Sequence, residues 1–242
     1  MKVNISPGFL KGEVVIPPSK SYTHRALICA ALSKGRSTIK NVIFSEDVLA
    51  TIDALKSIGT KFEIKEDSIT IDGTEKIEAS QALVDCNESG STLRFMIPIL
   101  CMSHQEFSIT GKASLLKRPM SIYENIIKDL SGTYEPGNDS IRIRCDFIPK
   151  DYYIKGNVSS QFISGLLFIL PTLDGDSRII IEGDFESKNY VEMTIHMLNH
   201  FGIKVTLESN QILIKGNQSY KANDYYIECD YSQLALFAVA VY

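Results

Sequence analysis

The chain has 242 residues, 44% of them hydrophobic and 22% charged, and a formal net charge of −4; this suits a globular protein with one large or two small cores and argues against nucleic acid as the main partner. No apolar tract approaches the roughly eighteen residues of a membrane span, and the first residues lack a secretory or transit pattern. Five widely spaced cysteines without a CxxC pair suit reduced thiols in a cytoplasm, not a disulfide frame or zinc site.

In chain order, MKVNISPGFLKGEVVIPPS reads as strand material, and residues 1–13 are expected to pair with a second domain. An apolar helix then begins at Ser21 (SYTHRALICAALSKG), followed by a strand. DVLATIDALKSIG reads as an amphipathic helix closed by Gly59, and the alternation of KFEIKEDSITID marks a hairpin with one buried face. The same order recurs. The next apolar helix starts at Ser89 (SGSTLRFMIPILCM), its amphipathic partner is RPMSIYENIIKDLSG, and its hairpin is TYEPGNDSIRIR. It recurs once more with Ser159 (SSQFISGLLFILPTL), NYVEMTIHMLNHFG and KVTLESNQILIK.

The helix starts lie 68 and 70 residues apart, and the closing glycines Gly59, Gly132 and Gly202 lie 73 and 70 apart. Glycine is expected there because a helix C-terminus commonly needs a left-handed residue. The chain is therefore an α/β protein, a three-fold repeat of β-α-β-α-β-β units covering about 14–74, 75–148 and 149–224. YYIECDYSQLALFAVAVY at 225–242 echoes YYIKGNVSSQFISGLLFIL at 152–170 and reads as the cut start of a further domain.

Units that pack their long helices together bring equivalent helix starts to one end, where unpaired N–H groups and the positive dipole end favour anions. The residues at those starts fit this use. Lys20, Ser21 and Arg25 belong to the first helix, and Gly90, Ser91, Thr92 and Arg94 to the second. Ser159, Ser160 and Gln161 open the third, while Lys117, Arg118, Ser187, Lys188 and Tyr190 precede or open amphipathic helices. Any single Ser here is commonly no more than an N-cap. Arg25 and Arg94 are more telling, because a cation within an apolar helix is costly unless it has a task. Asp47 reads as a helix cap. His196 and His200 have a zinc-compatible spacing but no Glu after the first and no third ligand, so they read as a solvated or packed face. No Walker A loop, GxGxxG fingerprint or GxSxG elbow is present.

PPSKSYTHRALICAALSKG, ESGSTLRFMIPIL, LLKRPM, SSQFISGLLFILP, ESKNYVEMTIHMLNHFG and ECDYSQLALFAVA together resemble the signatures of the EPSP synthase family over essentially the whole chain. The resemblance implies one of the two domains of an enolpyruvyl transferase-like inverse α/β barrel. It implies transfer of the enolpyruvyl group of phosphoenolpyruvate to the 5-hydroxyl of shikimate 3-phosphate, through a tetrahedral intermediate and without metal or organic cofactor. By motif, Ser21, Arg25, Ser159, Ser160, Ser187 and Tyr190 would hold shikimate 3-phosphate. Lys20, Gly90, Arg118 and Gln161 would contact phosphoenolpyruvate, with Lys20 and Gln161 nearest the chemistry. The parent would be monomeric.

Two departures stand out. Pro18-Ser19 replaces a usual Gly or Asp, and Glu88 stands where many members have Asn, so it either points away from the anion site or weakens it. The family has about six such units, so a carboxy-terminal domain carrying the proton-transfer acids is expected beyond this chain, which alone would be inactive. The related UDP-N-acetylglucosamine enolpyruvyl transferases differ in having Lys-Asn at the first motif and a Cys in the loop that here reads TGKASLLKRPM. A non-catalytic sugar-phosphate-binding module is a third reading. A purely structural repeat would not cluster Lys, Arg and Gln at helix starts.

Overall fold

A computed structural model describes residues 11–74, 77 and 81–241. The first unit contains α1 (Lys20–Ala31), β1 (Gly35–Lys40), α2 (Glu46–Lys56), β2 (Lys61–Ile64) and β3 (Ser68–Gly73). The second contains β4 (Leu83–Asp85), α3 (Gly90–Cys101), β5 (Phe107–Thr110), α4 (Ala113–Leu116), α5 (Ser121–Asp129), β6 (Thr133–Pro136) and β7 (Ser140–Arg144). The third contains β8 (Asp151–Lys155), α6 (Ser160–Ile169), a 3₁₀ turn Leu170–Thr172, β9 (Ser177–Glu182), α7 (Lys188–His200), β10 (Val205–Glu208) and β11 (Gln211–Ile214). The described chain closes with β12 (Tyr225–Tyr226) and α8 (Tyr231–Val241).

The three sheets share one plan: a parallel pair followed by an antiparallel hairpin. The second sheet runs β4-β5-β7-β6 and the third β8-β9-β11-β10. The first runs β12-β1-β3-β2, with Ile39 opposite Tyr225 and Lys40 opposite Tyr226. The segment read as the start of a further domain thus lends its first two residues to the sheet of the first unit. Ahead of α1, an isolated bridge from Pro18 to Cys229 is the β-contact among the described residues. The rest of the expected amino-terminal strand, residues 1–10, lies outside the described residues.

The helix caps sharpen the repeat. The first apolar helix is capped by Ser19, not Ser21; Ser19 Oγ accepts from the Tyr22 N–H at 3.4 Å, while Ser21 sits inside the first turn. Ser89 and Ser159 cap α3 and α6, so the three caps are spaced by 70 residues each. Gly59 and Gly202 take the left-handed conformation (φ 94° and 83°), but in the second unit Ser131 takes it at φ 56°. Gly132 is required for a different reason: a Cβ there would meet Ile127 Cγ2 at 2.9 Å and Cys145 Cβ at 3.1 Å.

Helices α1, α3 and α6 are buried nearly all round, whereas α2, α5 and α7 bury one face. This follows from their sequences, apolar beyond their polar starts in the first set and amphipathic in the second. The sheets alternate buried and exposed residues and cover the helices from outside. At the crossing of α3 and α6, Phe95 meets Phe168 edge-on at 5.4 Å. Gly165 permits that approach, since a Cβ there would overlap the Tyr123 hydroxyl and press on the Arg94 carbonyl.

Candidate anion and substrate site

Side-chain bonds draw the helix starts together at one end. Lys20 Nζ on α1 meets Asp47 Oδ2 on α2 at 2.7 Å. Thr92 Oγ1 on α3 bonds to Thr51 Oγ1 on α2 at 2.6 Å, and Gln161 on α6 reaches Ser91 on α3 at 2.8 Å. Arg25 of α1 bonds to α7 through the Thr194 hydroxyl at 2.7 Å and the Tyr190 carbonyl at 3.1 Å. Asp47 does not cap its helix; Ser45 Oγ accepts from Val48 N–H, which frees the Asp47 carboxylate for Lys20.

The start of α3 carries the densest positive charge. Arg94 is 9% exposed, donates from Nη1 to Gln161 Oε1 at 2.7 Å and lies 5.1 Å from the Phe162 ring. Its buried Nε has no partner among the described residues. Arg118, brought in on the exposed segment after α4, places Nη1 so close to Gly90 that a Cβ there would clash with it, and Arg94 Nη1 lies 3.3 Å from that Cβ position. Burial and then the nearby Arg118 charge hold the Arg94 guanidinium below its usual pKa. No carboxylate of the described residues pairs with Arg118. Two guanidinium groups converging on the N–H groups of a helix start form a receptor for a small anion.

Arg25 forms the floor of a second region. Its side chain is 3% exposed, with Nη1 donating to the Ser21 carbonyl at 2.8 Å, Nη2 to Ser164 Oγ at 3.4 Å, and the guanidinium 5.3 Å from the Phe95 ring. Burial lowers its pKa to about 10, so it stays charged at neutral pH. The structure brings Ser21, Arg25 and Tyr190 together through these bonds. Ser159 caps α6 beside Ser160 and Gln161. Ser187 stands at the α7 start with its hydroxyl free of any capping bond. A cleft of about 360 Å³ opens between Ser21, Tyr22, Tyr190, Met193, Glu228 and Tyr231. Tyr22 is pushed up to about 12, first by burial and then by the Glu228 carboxylate to which it is hydrogen-bonded.

Sequence reasoning missed His24 and its partner Thr51. His24 is 1% exposed, its Nδ1 2.7 Å from Thr51 Oγ1, and burial lowers its pKa to about 3. Its position five residues after the Ser19 cap matches that of Arg94 after Ser89, the one signal that marked it. Glu88 engages the neighbouring loop: Lys112 Nζ lies 3.3 Å from Oε2, and Ser114 Oγ donates to Oε1 at 3.2 Å. Its charge is thereby met on the segment that leads to Arg118. His196 packs edge-on against Tyr22 and His200 Nε2 bonds to the Asp224 carbonyl at 2.8 Å, so both serve packing. Among the described residues no helix is long and apolar enough to cross a membrane, and no cluster of His, Cys, Asp and Glu could hold a metal ion.

The profile of the family "EPSP synthase (3-phosphoshikimate 1-carboxyvinyltransferase)" matches residues 6–242. A 3-phosphoshikimate 1-carboxyvinyltransferase of Clostridium perfringens is 46% identical, covering 98% of this chain and 57% of the relative. One from Clostridium kluyveri is 47% identical, with 98% and 56% covered. The chain thus spans little more than half the length of the curated relatives it matches. An EPSP synthase structure from Acinetobacter baumannii superposes with a TM-score of 0.81 at 25% identity, covering 96% of this chain and 54% of that one.

Proposed function

The chain belongs to the EPSP synthase family, and on that premise we propose that it is the substrate-binding half of an enzyme that joins phosphoenolpyruvate to shikimate 3-phosphate. In that reaction the 5-hydroxyl gives up its proton as its oxygen bonds to C2 of phosphoenolpyruvate, and C3 gains a proton. The C2–O bond to phosphate then breaks as C3 loses a proton, leaving the enolpyruvyl ether. Two anionic substrates must be held side by side, so fixed cations and N–H donors carry much of the work.

The observation that carries this reading is the convergence of Arg94 and Arg118 over Gly90 at the start of α3. Gly90, Arg118, Gln161 and Lys20 are assigned to phosphoenolpyruvate, with Lys20 and Gln161 beside both ligands. Ser21, Arg25, Ser159, Ser160, Ser187 and Tyr190 are assigned to shikimate 3-phosphate. Arg25 acts from below, fixing the Ser21 and Tyr190 backbone that borders the cleft. Residues 14–224 form the substrate-binding body in three repeats (14–74, 75–148 and 149–224), and 225–242 leads toward the partner domain. The proton-transfer groups lie in the remaining length of the relatives, so this chain alone binds without turning over. The five free thiols suit a cytoplasmic setting.

Amide chemical-shift mapping tests the assignment. Phosphoenolpyruvate should move the Gly90, Ser91 and Thr92 signals saturably. Saturable shifts confined to another part of the chain would refute it.

A further inference from the structure

A buried chain of hydroxyls joins His24 to the cap of α3. His24 Nδ1 meets Thr51 Oγ1 at 2.7 Å, Thr51 Oγ1 meets Thr92 Oγ1 at 2.6 Å, and Thr92 Oγ1 meets Ser89 Oγ at 2.7 Å. His24, Thr51, Thr92 and Ser89 are each 1% exposed or less. Solvent cannot substitute for a lost partner there, and each group left unpaired costs about 1–3 kcal/mol.

The polarity of the chain follows from the far side of the imidazole. His24 Nε2 is buried with no partner among the described residues. An orphaned N–H is rarer in buried sites than an under-used acceptor, so the proton belongs on Nδ1, which then donates to Thr51. Thr51 has already accepted, and its shortest acceptor is Thr92 Oγ1; its alternative, the Asp47 carbonyl, is at 3.4 Å. Thr92 in turn donates to Ser89, since the Asp47 carbonyl again lies at 3.4 Å. Ser89 Oγ also accepts the Thr92 backbone N–H at 3.2 Å. Both of its lone pairs are then occupied, and its own proton is left to donate.

We propose that His24 is a positioning residue whose Nδ1–H tautomer sets a one-way relay through Thr51 and Thr92, making Ser89 a hydroxyl donor to the anion held at Gly90. This rests on the anion-site reading above and adds to it a donor and the device that orients it. Burial keeps the imidazole neutral at physiological pH, so a single ring nitrogen carries the proton. A charged His24 would keep Nδ1–H but place an unpaired cation within the helix layer.

Two measurements on the whole chain test this. Long-range nitrogen-15 correlation of the ligand-free protein reports which ring nitrogen of His24 carries the proton. Protonated Nδ1 supports the relay, and protonated Nε2 overturns it, whether or not the chain binds phosphoenolpyruvate. Titration with phosphoenolpyruvate then compares Thr92→Val, His24→Leu and His24→Gln, with urea unfolding recorded for each. Loss of one hydrogen bond to a charged group predicts roughly tenfold weaker binding for the first two, while His24→Gln, whose amide can donate to Thr51, recovers part of it. Affinities that track only the loss of stability, without rescue by Gln, would overturn the proposal.

Discussion

Arg118 fills, with one guanidinium nitrogen, the space that a side chain at Gly90 would need. The obstructing atom is the far end of a flexible, exposed side chain, so Gly90→Ala can fold by displacing Arg118. Alanine also suits the first turn of a helix better than glycine, by up to about 1 kcal/mol. Unfolding measurements should therefore show a stability equal to or slightly above wild type. Calorimetry with phosphoenolpyruvate should show affinity reduced about tenfold or more, as expected when one charge-assisted contact is lost.

Arg25 is a buried cation that rests on carbonyls, hydroxyls and an aromatic face without a carboxylate. Its hydrogen bonds are offset by the cost of removing the charge from water, and replacing buried ionic groups by well-packed apolar ones is often neutral. Arg25→Met should change stability by about 1 kcal/mol or less, with shikimate 3-phosphate binding abolished. Arg25→Ala, which leaves a cavity, should cost about 2–4 kcal/mol. Paired urea melts and binding isotherms check both.

Stability should carry a signature of His24 in acid. Its folded pKa, about 3, lies below the ordinary value near 6.5 because burial disfavours the cation. Below pH 6.5 the unfolded chain takes up a proton that the native state refuses. Unfolding free energy from this group thus falls by up to about 1.4 kcal/mol per pH unit as pH drops toward 3. His24→Gln should flatten the slope between pH 6.5 and 5 relative to wild type, measured by urea midpoints across that window.

Lys20 and Asp47 are bonded at 2.7 Å, yet the lysine side chain is 54% exposed. Exposed pairs contribute only about 0–1 kcal/mol. Lys20→Gln should leave the melting temperature nearly unchanged while weakening binding of both anionic ligands, most at low salt. A loss of binding that is insensitive to salt would mean the lysine acts other than through its charge.

Much of the fold was legible because each unit repeats the same local grammar: a Ser cap, an apolar helix, an amphipathic helix and a hairpin. What sequence could not reveal was which distant segment completes a sheet. Tyr225 and Tyr226 read as a strand, but nothing local marks them as the partner of β1, some 186 residues earlier in the chain. The left-handed Ser131 was hidden by Gly132 next to it, since both positions follow the same helix. The four-residue α4 is too short to show a period. At the site, the charged and hydroxyl residues at helix starts were visible, but their pairings were not. Arg94 with Gln161 and Arg25 with Thr194 span 67 and 169 residues. His24 escaped notice because nothing beside it in the chain signals a hydrogen-bond partner 27 residues away.

The central claim is that this chain already forms a selective platform for shikimate 3-phosphate. Calorimetric titration of the purified chain tests it most directly, with UDP-N-acetylglucosamine and Arg25→Met as controls. The account predicts saturable one-to-one binding of shikimate 3-phosphate, none of the nucleotide sugar, and loss of binding in the variant. A folded chain that binds neither ligand, or binds both equally, would contradict it.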